Sequence, residues 1–194
     1  LGNNYNCAYR YNISINDGHR VKGIDGFQEG KIFWLSGYVG KDQKKNGPFN
    51  SYFYNNTIYV KKDIEAKFAI DKASNGVLIA NNIFHIEGES KLVLGDQYVP
   101  DAESELKIKN VFFRNNLFLK TDNWPKEISI QDDAPLIGDP GFLQKGGTFL
   151  EDYIPTNKKF IKDKGIVIPK IPGDELGLFA GLDVHYDILG NKIS

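Results

Sequence analysis

Apolar and aromatic residues fall into short runs along this chain, broken at intervals by pairs of asparagines. The clearest breaks read Tyr54-Asn55-Asn56-Thr57-Ile58-Tyr59, Ala80-Asn81-Asn82-Ile83-Phe84-His85 and Arg114-Asn115-Asn116-Leu117-Phe118-Leu119. A weaker copy, Arg10-Tyr11-Asn12-Ile13-Ser14-Ile15, stands near the start. Runs this short, rich in β-branched and aromatic residues, predict strands, and few sustained i, i+3, i+4, i+7 stripes speak for helices. A phrase that returns every few tens of residues predicts a solenoid, in which each repeat buries its apolar side against its neighbours.

Alignment on the second asparagine of each pair separates the faces. Three residues before it stand Tyr9, Phe53, Ile79 and Phe113, and five before it Cys7, Ser51, Val77 and Val111. This mostly apolar period-2 set predicts the interior. The column between them, Arg10, Tyr54, Ala80 and Arg114, is expected on the outside. The markers themselves, Asn12, Asn56, Asn82 and Asn116, predict a ladder at a bend between strands. There each amide donates to one neighbour and accepts from the next, so the asparagines hold the turn rather than a substrate. With Trp34 level with Asn12, the steps are 22, 22, 26 and 34 residues, the longer ones carrying loops such as 87–105. The pattern predicts an all-β parallel β-helix of about five coils over 1–131.

From Asp132 the character changes. Asp132-Asp133-Ala134-Pro135 and Gly146-Gly147 are turn-rich, and prolines at 155, 169 and 172 oppose regular coils. Residues 132–194 are expected to form an irregular C-terminal cap on the end or flank of the same solenoid, covering strand edges that would otherwise be exposed. The opening Leu1-Gly2-Asn3-Asn4 reads as the middle of a longer sequence, which predicts further N-terminal coils of the same protein as a packing partner.

Composition narrows the function classes. Lys and Arg number 24 against 25 Asp and Glu, an even balance that argues against a general nucleic-acid or anionic-membrane binder. One cysteine, Cys7, excludes an intramolecular disulfide and a cysteine-built zinc site. No stretch approaches the roughly 20 apolar residues of a membrane span. Glycine-rich phosphate motifs are lacking.

The NN-[IL]-F rungs, the Arg10–Ser14 opening with Asn16-Asp17-Gly18, and Asp139-Pro140-Gly141-Phe142 resemble right-handed parallel β-helix proteins of the pectate-lyase-like type. Asp187-Ile188-Leu189-Gly190-Asn191 is similar to the tail of many bacterial members, and Lys164-Gly165 stands where they often have Asp-Gly or Ala-Gly. The resemblance implies three parallel sheets wound as one right-handed coil, in a secreted, periplasmic or cell-surface protein. It also implies a polysaccharide substrate or ligand, handled by elimination or hydrolysis. It covers most of the chain but is architectural, and function resides in the site.

Two groups carry candidate chemistry. Asn16-Asp17-Gly18-His19-Arg20 lies at the mouth of a coil. Elimination needs a base for the proton α to a uronate carboxylate and cations for the developing charge, which Arg20, Arg10, His19 or Lys22 would supply. Hydrolysis needs two carboxylates, with Asp17, Asp25 and Glu29 as the local choices. Asp17, His19 and Arg20 are therefore the catalytic candidates, against the plain alternative that Asp17-Gly18 only makes a turn. The outward residues Arg10, Tyr54 and Arg114, with Trp34 and Tyr52 nearby, are the substrate-binding candidates. Aromatic faces stack on sugars and arginines pair with uronate or sulfate, whereas the alternative is an ordinary exposed sheet face. His85 reads as a packed or rim histidine, and "LDVHYD" around Asp183 and His185 as an alternating strand. The three histidines have no metal-ligand spacing. Asp132-Asp133 offers loop carboxylates to calcium, with no EF-hand or RTX pattern around them. A glycan-binding or adhesive shaft without catalysis is the rival reading.

Overall fold

The backbone bends where the sequence offers residues that tolerate a left-handed conformation. The first asparagine of each pair takes it, with φ of 55° at Asn55, 54° at Asn81 and 55° at Asn115, and Tyr11 holds the same place at 58°. A second set of bends uses Asn6, Asn50, Gly76 and Asn110. At Gly76 (φ 77°) a β-carbon would sit 2.7 Å from Asn50 Oδ1, so a side chain there would have to displace that amide.

Between the bends run short strands. The computed structural model describes residues 2–22, 27–28, 31–94, 108–123, 130–187 and 189–192. The first pass contains β1 (Ala8–Arg10), β2 (Ile13–Ile15), a small hairpin of β3 (Val21–Lys22) and β4 (Phe27–Gln28), and β5 (Lys31–Leu35). The second contains β6 (Phe49–Tyr54), β7 (Thr57–Val60) and β8 (Ala66–Ile70). The third contains β9 (Asn75–Ala80), β10 (Ile83–Ile86) and β11 (Ser90–Leu94). Then come β12 (Val111–Arg114), β13 (Leu117–Phe118) and β14 (Leu136–Ile137).

Corresponding strands pair in parallel into three sheets, ordered β1-β6-β9-β12, β2-β7-β10-β13-β14 and β5-β8-β11. This is an all-β solenoid of β-helix type. Pairing continues past Asp132, because β14 extends the second sheet.

The asparagine ladder runs through the bend between the first two sheets. Asn12 Nδ2 donates to Asn56 Oδ1 at 3.0 Å, Asn56 to Asn82 at 2.9 Å, and Asn82 to Asn116 at 2.8 Å. The backbone N–H of each donates to the same oxygen. Spare amide hydrogens reach the carbonyls of Tyr9, Phe53 and Ile79 on neighbouring passes. Every amide therefore points in one direction along the axis. Asp132 ends the series: its carboxylate accepts from the Asn115 and Asn116 N–H groups and from Asn116 Nδ2 at 2.7 Å, and it has no amide to pass on. Both carboxylate oxygens are thus engaged in the ladder, and Asp133 pairs with Arg114, which leaves that loop little to offer calcium.

One register differs from the expectation. Asn12 meets Asn56 directly, 44 residues away, and Trp34 lies in the third sheet opposite Ala69. The first pass is one long coil carrying the hairpin, not two coils of 22. The interior column is as read: Phe53, Val77, Ile79, Val111 and Phe113 join Phe33, Phe68, Phe84 and Phe118 in one core. Phe84 and Phe118 stack at 5.4 Å, a like-on-like pair that adds about 1 kcal/mol to its area burial. Tyr9, on the outermost pass, stacks on Phe53 at 5.1 Å and stays 41% exposed.

The outer faces of two sheets are covered. A loop over 138–157 lays Phe142 and Tyr153 on Tyr59 of the second sheet. A C-terminal strap lays Ile168 and Ile171, with Leu178, Leu182 and Val184, on Tyr52, Tyr54, Leu78 and Ala80 of the first. The column expected on the outside therefore lies on the outer face of its sheet but not in solvent: Tyr54 and Ala80 are fully buried. The strap segment around Asp183 and His185 alternates in burial but forms no strand, apart from a bridge of Tyr186 to Lys192. Among the described residues, helix is confined to a 3-10 turn at Leu150–Tyr153 and one turn of α-helix, α1 (Lys158–Ile161). No helix among the described residues is long and apolar enough to cross a membrane.

Candidate functional site

β1, β2 and β5 are the outermost strands of their sheets at one end of the solenoid. A cavity of about 610 Å³ opens there. Its floor is the end of the core, Phe33, Phe53 and Ile58, with Asn12 and Asn56 of the ladder. Its rim carries Tyr9 from β1, Ser14 from β2, Asp17 and Arg20 from the turn that follows, Lys31 and Trp34 from β5, and Tyr38 beyond it.

Each rim residue is placed by local chemistry. Asn16 (φ 55°) and Gly18 (φ 83°) make the turn, and the Ser14 hydroxyl donates to Asp17 Oδ2 across it. Strand alternation turns Tyr9 towards the cavity and Arg10 away from it. A bulge in β5, where the register shifts between Lys31 and Phe33, brings Lys31 and Trp34 to one side. The Lys31 ammonium lies 3.7 Å from the Trp34 ring centre, within cation–π range. Partial burial, and then the Asp17 carboxylate, push the Tyr9 phenol up, so at neutral pH it remains a neutral hydrogen-bond donor. Tyr38 stands 60% exposed at the entrance.

Three of the sequence-derived candidates, Asp17, Arg20 and Trp34, thus meet at one cavity. The others do not. His19 is exposed and outside the lining, and its charge acts on Asp63, helping to lower that carboxyl after the larger effect of Lys61. Arg10 donates to the Tyr54 hydroxyl at 2.6 Å on the covered face, and Tyr54 in turn donates to Leu182 O at 3.4 Å. Arg10 is therefore not beside the turn of Asp17, and Tyr54 and Tyr52 have no free ring face. Arg114 forms an exposed pair with Asp133 at 2.9 Å. Asp25 and Glu29 lie outside the described residues, as does the side chain of Lys22.

Lys31, Tyr9 and Tyr38 are rim residues that sequence reasoning missed. A regular strand sends residues three apart to opposite faces, so only the bulge makes Lys31 and Trp34 neighbours. A second depression of about 820 Å³ runs along the seam between Tyr11, Asn55 and the strap, with Asp183, His185, Asp187 and Lys192. Asp187 is occupied by its own turn, accepting from the Leu189 and Asn191 N–H groups and from Asn191 Nδ2. That seam has less to offer a ligand than the end cavity.

Among the described residues, no group of three or more His, Cys, Asp or Glu is placed to hold a metal ion. Asp17 is the one carboxylate among them that lines the end cavity. The chemistry on offer is stacking on Tyr9, Trp34 and Tyr38, positive charge from Lys31 and Arg20, and hydrogen bonds from Ser14 and the Tyr9 phenol. Comparison of the chain with protein families, with curated proteins and with solved structures finds no match in any of the three.

Proposed function

We propose that this chain is part of a secreted or surface-bound carbohydrate-active β-helix protein of the right-handed, pectate-lyase-like type, whose end cavity takes an acidic polysaccharide. The observation that carries the reading is the meeting of aromatic rings with Lys31 and Arg20 around one apolar-floored cavity. Sugar rings present C–H faces that stack on aromatics, and a uronate or sulfate group pairs with a lysine or arginine beside them. Among the described residues the lining offers elimination a base and a cation, and hydrolysis one carboxylate, Asp17. A hydrolase needs two carboxylates about 5–10 Å apart. A lyase needs a base and a cation against the developing charge, roles for which Lys31 and Arg20 are suited.

The test is a binding titration of the chain against polygalacturonate, alginate, chondroitin sulfate and neutral dextran, followed by tryptophan fluorescence, with Trp34→Phe as the control that assigns the signal. Binding to an acidic polymer, weakened by salt and lost in Lys31→Ala, is the expected result. Failure to bind any acidic polymer overturns the reading. Absorbance from an unsaturated product then separates elimination from binding alone.

A further inference from the structure

His85 is the most anomalous polar group in the molecule. Its side chain is completely buried, and neither ring nitrogen has a hydrogen-bond partner. Buried polar atoms are nearly always paired, so an orphaned imidazole calls for a physical account. The ring projects from β10 onto the outer face of the second sheet. It lies between Tyr59 of the adjacent strand (centroids 5.6 Å apart) and Phe142 of the covering loop (5.1 Å).

The loop that closes this box is a unit in itself. Asn157 and Thr156 donate backbone N–H groups to Pro140 O and Gly141 O, so the loop's two ends are tied together. Asp139 accepts from the Gly141 N–H and pairs with Lys145 at 2.9 Å. The Tyr153 hydroxyl donates to Gly147 O, and the Asp152 carboxylate accepts from the Phe149 N–H. Among the described residues, no hydrogen bond runs from 139–157 to the second sheet. The loop is rooted at Gly138, whose N–H donates to Phe118 O, and beyond that root it rests on the sheet through Phe142 and Tyr153 packed around Tyr59 and His85.

We propose that 138–157 is an acid-released clasp, held closed over the second sheet while His85 is neutral and opened when that imidazole takes up a proton. A charge created inside the closed box has no hydrogen-bond acceptor in reach, only the carboxylates of Glu87 and Asp139 at longer range; in the open state it is solvated. The groups facing the ring are few. Glu87, two residues along the chain, holds Oε1 3.9 Å from Nε2, too far for a hydrogen bond. Asp139 and Lys145 of the clasp oppose one another, and the phenols of Tyr59 and Tyr153 are both pushed up, chiefly by burial, and remain neutral. Burial, aided by Lys145, outweighs Glu87 and Asp139 and holds the imidazole below its ordinary range. The closed form is therefore fully favoured above the ordinary histidine value of about 6.5. As pH falls below that value the open form gains about tenfold per pH unit, until the closed form itself titrates.

Two measurements decide the matter. An NMR titration of the imidazole signals at neutral to mildly acid pH should place His85 below the ordinary histidine value of about 6.5. Hydrogen exchange of the 139–157 amides over the same range should accelerate on acidification in the native chain and become pH-flat, after correction for intrinsic exchange, in His85→Phe. His85 titrating at or above its ordinary value with the clasp amides still protected overturns the proposal. So does opening of His85→Phe with the pH dependence of the native chain. Should His85→Phe fail to fold, Phe142→Ala supplies the second variant: opening the box from the clasp side should raise the His85 titration towards its ordinary value, and an unmoved titration overturns the proposal.

Discussion

The two segments that cover the solenoid are attached in opposite ways. The strap over the first sheet is latched by polar groups. Tyr52 donates to Asp174 Oδ2 at 2.6 Å and accepts from the Ile171 N–H at 3.1 Å. Asp174 also accepts from Asn6 Nδ2 and from the Leu176 and Gly177 N–H groups. Asn81 donates to Ile166 O and accepts from its N–H, and Asn115 donates to Lys164 O. The clasp over the second sheet has rings where the strap has latches. Rings supply burial without direction, whereas a buried latch supplies direction and exacts a high cost if one partner is lost.

The largest effect is therefore expected at the strap. Asp174→Ala leaves the Tyr52 hydroxyl and two backbone N–H groups without their acceptor, and at 1–3 kcal/mol for each orphaned group the loss should reach about 4 kcal/mol. Urea unfolding, together with hydrogen exchange at 166–184, measures it. Phe142→Ala on the clasp removes apolar contact without orphaning a polar group and should cost about 3 kcal/mol, confined to 138–157 in hydrogen exchange. If Asp174→Ala proves the milder of the two, the polar latch is not what holds the strap.

Acid should separate the segments as well. Burial alone would raise Asp174, but the bonds from Tyr52, Gly177, Leu176 and Asn6 outweigh it and hold the carboxyl below its ordinary value. Its contribution is complete above the unfolded carboxylate value of about 3.9 and is lost as pH falls through the lower folded value. The clasp should therefore open in the histidine range and the strap only in the carboxylate range, giving two steps of amide exposure on acidification. In Asp174→Asn the lower step should lose its pH dependence while the upper step is unchanged.

Much of the solenoid was legible because its chemistry is periodic. Asn56, Asn82 and Asn116 repeat a bend, and the column of Phe53, Ile79 and Phe113 repeats an interior. The covering segments were not legible in detail, because the residues that meet Tyr52 and Tyr54 come from aperiodic sequence more than a hundred positions away. A signal was nonetheless present. Ser51-Tyr52-Phe53-Tyr54 and Val77-Leu78-Ile79-Ala80 are nearly continuous apolar runs, and such strands are buried on both faces. At the end cavity, Asp17 and Arg20 were readable from the turn between them. The partnership of Lys31 with Trp34 depends on a bulge, and a bulge leaves no mark in an alternation pattern this short.

The finest distinction lies within the strap's own anchor column. Asn55 and Asn81 share one bend geometry, with φ of 55° and 54°. Asn81 bonds the strap twice, whereas among the described residues no hydrogen bond joins the Asn55 side chain to the strap, and its neighbour is the Tyr11 phenol. Glycine accepts the left-handed conformation without strain, so Asn→Gly at either position leaves the bend intact and isolates the side-chain bonds. Asn81→Gly removes those two bonds and a third that Asn81 Oδ1 accepts from Asn115 Nδ2, so it should cost about 3 kcal/mol, and it should loosen the strap at Ile166. Asn55→Gly should cost no more than about 0.5 kcal/mol, a cap-type loss with no strap partner. Equal losses at the two positions would mean that the column repeats in geometry alone and that Ile168 and Ile171, not the amides, fix where the strap lies. Unequal losses in the stated order would assign to one asparagine of each pair the ladder and to the other, where the strap passes, the latch.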